Sequence, residues 1–195
     1  MKLKVIDNFL TKSYHQDILA LMNGPNFDWY FNSNISYTQN ENSRLNEYGF
    51  SHVLWDVDGK RNSNTATLWQ PGLYQIMDIV DCNSVLRSRA DMTMLSPDEV
   101  IHDTHVDFKF PHISVVYYVN DSDGDTIFYD KRHSSEDPIP SDLEIVERVS
   151  PKANRLVAFE GDIIHTGCSP MKHKNRIIIN SNFQSIRYFC MHFNS

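Results

Sequence analysis

The sequence predicts a mainly β protein with a few supporting helices, and three observations predict it. From residue 84 onward, short runs of β-branched and aromatic residues alternate with turn signals rich in Asp, Gly, Pro and Ser. The two helical patterns both lie before that point. The chain has 195 residues, is 41% hydrophobic and 22% charged, and so has the size and composition of one globular domain with a buried core. Many short strands separated by turns indicate a sandwich, a jelly roll or a barrel, with the helices covering one face.

Leu3 to Ile6 reads as a strand. A helix follows, with Thr11 as its N-cap; Ile18, Leu19, Leu21 and Met22 form its apolar stripe, and Asn23-Gly24-Pro25 ends it. Residues 32 to 46 are rich in Asn and Ser and read as a loop, a candidate lid. Residues 48 to 56 read as a strand, and a second helix is expected over about 71 to 81, with Pro71 in its first turn. The later strands are Val85 to Leu95, Ile113 to Asn120, Thr126 to Tyr129, Leu143 to Val149, Arg155 to Phe159, Ile163 to His165 and Arg176 to Phe183. Asp121 to Asp125 is a turn, and 131–142, with Pro138 and Pro140, is a connecting loop.

The formal net charge is −7, which repels phosphate backbones, so a nucleic-acid partner is not expected. Cys82, Cys168 and Cys190 are widely spaced and form no CxxC, which points to reduced thiols in a reducing compartment. With no apolar run long enough for a signal peptide or a membrane span, the expected location is cytoplasmic.

Three local features carry chemistry when taken together. In Thr104-His-Val-Asp-Phe108, an extended backbone would put His105 and Asp107 on one side, where both could bind one ion. Alone, such a pair is a common surface turn. His165 ends Arg155-Leu-Val-Ala-Phe-Glu-Gly-Asp-Ile-Ile-His165; alone it reads as a satisfied core histidine. Arg176 opens an apolar strand, where a guanidinium calls for an anion; alone it reads as a rim salt bridge. In order they are more specific: His105 and Asp107, His165 about 58 residues beyond, and Arg176 eleven beyond that. Two His and one carboxylate on one face of an octahedral ion make the facial triad of non-haem Fe(II) oxygenases, with positions left open.

On these residues the sequence resembles the 2-oxoglutarate and Fe(II)-dependent dioxygenase superfamily, in particular its prolyl 4-hydroxylase-like branch. The resemblance covers roughly residues 84 to 184, with an echo in Val5-Ile-Asp-Asn-Phe-Leu10. His105-Val-Asp107 is similar to the family's HxD. Val115-Val-Tyr-Tyr-Val-Asn120 with Gly124-Asp-Thr126 and Phe128-Tyr129 resembles its "YYLN … GG … I" hairpin. Asn154-Arg-Leu-Val-Ala-Phe159 with His165 resembles its "NRLVxF … H" strand pair, and Arg176 matches its cosubstrate arginine. The resemblance implies a double-stranded β-helix, a jelly-roll variant, spanning about 84–190, with helical support and a lid supplied by about 1–83 in the same domain. His105, Asp107 and His165 would hold Fe(II). Arg176 would bind the distal carboxylate of 2-oxoglutarate, with Tyr118 against that carboxylate and Asn180 where a hydroxyl residue often assists. Ascorbate is a further cofactor the resemblance suggests.

The implied reaction consumes O₂ and 2-oxoglutarate and yields succinate, CO₂ and a hydroxylated substrate. Proline in a peptide or protein is the leading substrate. A small molecule or free amino acid is the alternative, and a non-catalytic jelly-roll binding module is a further one. Two departures stand out. Leu95 occupies the position, ten before the HxD histidine, where oxygen-sensing prolyl hydroxylases carry a tyrosine, and the hairpin turn has Asp123-Gly124-Asp125 rather than two glycines.

Other residues have plainer readings. His102 and His173 read as solvent-facing loop residues, and His112 as a rim residue. Trp29, Trp55 and Trp69 read as core anchors. Arg87 and Arg89, alternating on one strand, face either substrate or solvent. Asp121, Asp123 and Asp125 lack the Glu of a calcium loop and read as a polar turn.

Overall fold

The computed structural model of the chain describes residues 3–33, 35 and 48–185. Among these residues the elements are β1 (Lys4–Ile6), α1 (Lys12–Asn23), β2 (Tyr30–Asn32), β3 (Gly49–Trp55), α2 (Ala66–Val80), β4 (Cys82–Met94), β5 (His112–Tyr118), β6 (Thr126–Arg132), β7 (Ile145–Val149), β8 (Arg155–Glu160), β9 (Ile163–Gly167) and β10 (Asn175–Ser185). They form a seven-stranded sheet in the order β1-β8-β5-β10-β4-β3-β2 and a three-stranded sheet in the order β7-β6-β9. All the strand pairs are antiparallel. The architecture is the jelly roll of a double-stranded β-helix, two sheets facing each other with helices behind the larger one.

The continuous apolar runs of β5, β8 and β10 follow from this layering. A strand covered on both faces has no polar side to present. Val115, Tyr117, Leu156, Ala158, Ile177 and Ile179 face the helices, packing with Ile18 and Met22 of α1 and Trp69, Leu73 and Ile76 of α2. The alternate residues Val116, Tyr118, Val157, Phe159 and Ile178 face the small sheet and pack with Phe128 and Ile163. Period-two alternation thus builds two cores from one sheet.

The N-terminal segment is fastened by polar groups as well as apolar ones. Asp7 accepts hydrogen bonds from Arg155 Nε at 2.6 Å and Lys152 Nζ at 2.8 Å. Asn154 sits in the left-handed region at φ 65°, which Asn tolerates better than most residues. Its side-chain amide bonds both the N–H and the C=O of Leu10, each at 2.8 Å.

Three expectations change. The second helix begins at Ala66, five residues before Pro71, so Pro71 lies inside it. Its first turn is tight: Ala66, Thr67 and Leu68 donate to the carbonyls three residues back. The early turns are held by Trp69, fully buried with its ring 5.0 Å from that of Tyr117. Next, Tyr30–Asn32 forms a short edge strand against β3 that the sequence pattern does not signal. Finally, residues 1–83 contribute β1, β2 and β3 to the large sheet besides the two helices. The candidate lid at 32–46 falls mostly outside the described residues, as does Cys190; Cys82 and Cys168 are free and buried. No helix among the described residues is long and apolar enough to cross a membrane.

Candidate metal and cosubstrate site

A cavity of about 490 Å³ opens between the two sheets. Its large-sheet wall is built in rows set by strand register. Asn182 of β10 pairs with Arg87 of β4 on one side and Ser114 of β5 on the other. Asn180 pairs with Arg89 and Val116, Ile178 with Asp91 and Tyr118, and Arg176 with Thr93. Moving along the wall, the rows step from donors around Asp107 to the guanidinium of Arg176.

His105, Asp107 and His165 meet at one end, with one ligand atom from each lying within 4.8 Å of the others. His105 does not sit in a regular strand. It forms an isolated bridge with His165, and each backbone N–H donates to the other's carbonyl at 3.0 Å. Both rings are oriented by backbone. His105 Nδ1 lies 3.0 Å from the carbonyl of Asp103, and His165 Nδ1 lies 2.9 Å from that of Ile163. A carbonyl only accepts, so Nδ1 carries the proton and Nε2 keeps its lone pair for an ion. His165 Nε2 stands 3.8 Å from Asp107 Oδ2. Burial, followed by the neighbouring His105, pushes the His165 pKa down to about 4, which keeps the ring neutral as a metal ligand requires.

The Asp107 side chain is only 4% exposed, yet it is richly solvated by protein. Oδ1 accepts from Arg87 Nη2 at 2.8 Å and Asn180 Nδ2 at 3.3 Å. Oδ2 accepts from Ser114 Oγ at 2.7 Å and Asn182 Nδ2 at 2.8 Å. Burial by itself would raise its pKa. The electrostatic influence of the neighbouring His165, the Arg87 guanidinium and His105, with the Ser114 hydrogen bond, outweighs burial and holds the group well below the usual carboxylate range. The donor set, two neutral imidazoles and one carboxylate, suits a divalent transition metal such as Fe(II).

Arg176 lies at the other end, 5% exposed. Its Nη2 donates to Thr126 Oγ1 at 2.8 Å, and the guanidinium carbon sits 5.6 Å from the centre of the Tyr118 ring. Arg176 makes no ion pair among the described residues, and its buried Nε has no hydrogen-bond partner there. A buried guanidinium without a counter-ion calls for an anionic ligand. Gly124 permits this packing: a Cβ there would lie 2.4 Å from the carbonyl oxygen of Cys168 and 3.0 Å from Arg176 Cδ.

Tyr118 and Asn180 sit differently from their expected placements. Tyr118 does not line the cavity; its hydroxyl donates to Thr126 Oγ1 at 2.6 Å, so Thr126 stands between it and any ligand. Asn180 does line the cavity, but its amide is bonded to Asp107 rather than lying beside Arg176. Leu95, 50% exposed, lies away from the cavity, and so do all three tryptophans. His112 is buried rather than at the rim. Its ring covers Gly161, where a Cβ would come within 2.1 Å of Nε2. His102 lines the cavity, while His173 is an exposed partner of Asp123 at 2.8 Å. Arg87 and Arg89 both face the cavity, and Arg89 Nε pairs with Asp91 Oδ1 at 2.7 Å. Thr126, Ser114 and Asn182 are site residues that sequence reasoning missed. The only local signal for them was the position of Thr126 directly after the Gly124 turn.

The sequence model of the 2OG-Fe(II) oxygenase superfamily matches residues 96–184, a span that contains His105, Asp107, His165 and Arg176. Solved structures share its fold at low identity. The non-haem α-ketoglutarate-dependent epimerase SnoN from nogalamycin biosynthesis aligns with TM-score 0.65 at 12% identity, covering 94% of this chain and 78% of its own. A prolyl hydroxylase from Trichoplax adhaerens, in complex with a hypoxia inducible factor peptide fragment, aligns with TM-score 0.61 at 13% identity over 97% of this chain and 86% of its own. HygX from Streptomyces hygroscopicus, with nickel, 2-oxoglutarate and hygromycin B bound, aligns with TM-score 0.60 at 10% identity over 94% and 83%. No curated protein sequence matches the chain significantly.

Proposed function

We propose that the chain is an Fe(II)- and 2-oxoglutarate-dependent dioxygenase, with His105, Asp107 and His165 as metal ligands and Arg176, seated on Thr126, as the anchor of the cosubstrate's distal carboxylate. One observation carries this reading. A three-ligand cluster and a buried guanidinium lacking a carboxylate partner among the described residues face the same cavity. A dicarboxylate with a keto acid at one end has the chemistry to satisfy both.

Fe(II), when bound, supplies the O₂ chemistry that turns 2-oxoglutarate into succinate and CO₂ and leaves one oxygen atom for a substrate C–H bond. The chain's own residues supply position. His105 and His165 present Nε2 with the tautomer fixed by backbone carbonyls. Asp107 stays ionised in a buried setting because four side chains donate to it. Ile178 and Val116 give the cavity an apolar wall that excludes water. Tyr118 acts at one remove by orienting Thr126 and stacking on Arg176. Residues of the first 83, including Asn32, Ile35 and Phe50, line the cavity and support the jelly roll as part of one working unit.

For the substrate, the leading reading is proline in a peptide or protein, supported by the fold shared with a prolyl hydroxylase that holds a peptide. A small molecule or free amino acid is the second reading. It is favoured by the Arg89–Asp91 pair, which offers a positive and a negative group side by side on the cavity wall, a match for a zwitterion. The test is hydroxylation of a proline-containing peptide array alongside free amino acids, read by mass spectrometry together with succinate release. Gain of one oxygen on peptidyl proline supports the first reading, and gain only on free amino acids replaces it with the second. Absence of succinate across all substrates would mean a non-catalytic binding module.

A further inference from the structure

Arg87 neither ligates the metal nor anchors the cosubstrate in the proposed function, yet it is the cation bonded most closely to Asp107. Its guanidinium lies 2.8 Å from Oδ1 and 5.1 Å from the centre of the Phe108 ring. The side chain is largely buried, so water screens its charge weakly. Asp107 is not short of donors: Ser114, Asn180 and Asn182 reach it independently. Removing Arg87 would therefore leave the carboxylate oriented and change mainly the charge beside it.

A fixed positive charge there acts on the two ligands in opposite senses. It competes with a divalent cation for the same carboxylate, and it attracts a dianion brought to that cation. We propose that Arg87 is a charge-balancing positioning residue: it weakens the binding of the metal ion by itself and strengthens the binding of 2-oxoglutarate to the metal-loaded protein. The two effects oppose each other in the ternary complex, and both lower the population of metal-loaded protein that lacks cosubstrate. The site is thereby biased against holding a metal ion without cosubstrate. The inference rests on the proposed metal role of Asp107.

Calorimetric titration of the full chain tests it, using Ni(II) as a metal probe that does not turn over. Ni(II) is titrated alone, and 2-oxoglutarate is then titrated into the Ni(II)-loaded protein. Arg87→Met keeps the apolar stem and the contact with Phe108 while losing the charge. It is expected to bind Ni(II) on the order of tenfold more tightly and 2-oxoglutarate severalfold more weakly. Arg87→Lys, which retains a charge, is expected to stay near the wild type in both. A merely structural role would weaken both ligands together. Arg87→Gln keeps a hydrogen-bond donor without the charge and carries the same expectation as Arg87→Met, so a poorly folded methionine variant does not end the test. Unchanged or weaker Ni(II) binding in the neutral variants would overturn the proposal. If wild-type protein binds no Ni(II), or Asp107→Ala binds it equally well, the metal reading itself fails and takes this inference with it.

Discussion

The two ends of the cavity solve opposite electrostatic problems. At the metal end a buried anion, Asp107, is surrounded by four donor side chains. At the far end a buried cation, Arg176, has one side-chain hydrogen-bond partner, Thr126, and no carboxylate among the described residues. Burying either charge is costly unless it is compensated. Protein compensates the first completely and the second only in part. The difference teaches that the Asp107 end is pre-assembled for its ion, while the Arg176 end is left for a ligand to complete.

That contrast can be broken from either side. The largest effect is expected at the triad. His105→Ala and Asp107→Ala should abolish succinate formation, and metal titration should show weakened binding in both. Retained turnover would remove these residues from the metal site. Next comes Arg176→Met, which should raise the 2-oxoglutarate concentration needed for half-maximal activity by roughly 100-fold, the scale of losing one partner of a buried charge pair at about 3 kcal/mol. The unfolding midpoint should move much less, because Arg176 has no counter-charge among the described residues to abandon. Thr126→Val removes one hydroxyl from Arg176 and Tyr118, and should cost about tenfold in the same measurement.

The smallest effect concerns the loop that carries the chain into Arg176. Asp123 accepts backbone N–H groups from Met171, Lys172 and His173, and bonds the His173 ring. Desolvation opposes ionisation there, but the His173 bond and the three backbone donors outweigh it and bring the Asp123 pKa to about 2, below its ordinary 3.8. A depressed carboxylate pKa stabilises the fold above the unfolded value, and the contribution is lost as pH falls toward the folded one. Asp123→Asn should therefore lower stability by about 1 kcal/mol near neutral pH. The gap to wild type should close between about pH 4 and pH 2, as thermal unfolding across that window would report.

Much of the fold could be read from sequence because its strands are short, β-rich and bounded by Asp, Gly and Pro. Where structure and sequence pattern differ, tertiary contacts override local signals. Pro71 suggested a helix start, but burial of Trp69 against Tyr117 extends the helix by more than a turn. The strand at Tyr30–Asn32 exists through pairing with β3, which no local pattern announces. The same division holds at the site. His105 with Asp107, His165 and Arg176 sit in local motifs with telling spacing. The row Arg87, Asn182 and Ser114 is assembled across three strands far apart in sequence, and only register reveals it. Asn180 was expected to serve Arg176 because both face the same side of β10. The row pairing it with Arg89 sets it near Asp107 instead.

The central claim is that one ligand bridges the two ends of the cavity, and titration of 2-oxoglutarate tests it most directly. Calorimetry on wild type with and without Ni(II), and on Ni(II)-loaded His165→Ala and Arg176→Met, separates the two ends. The account predicts tight binding only when both the metal and Arg176 are in place, with a large loss when either is removed. Equal 2-oxoglutarate affinity in all four samples would contradict it.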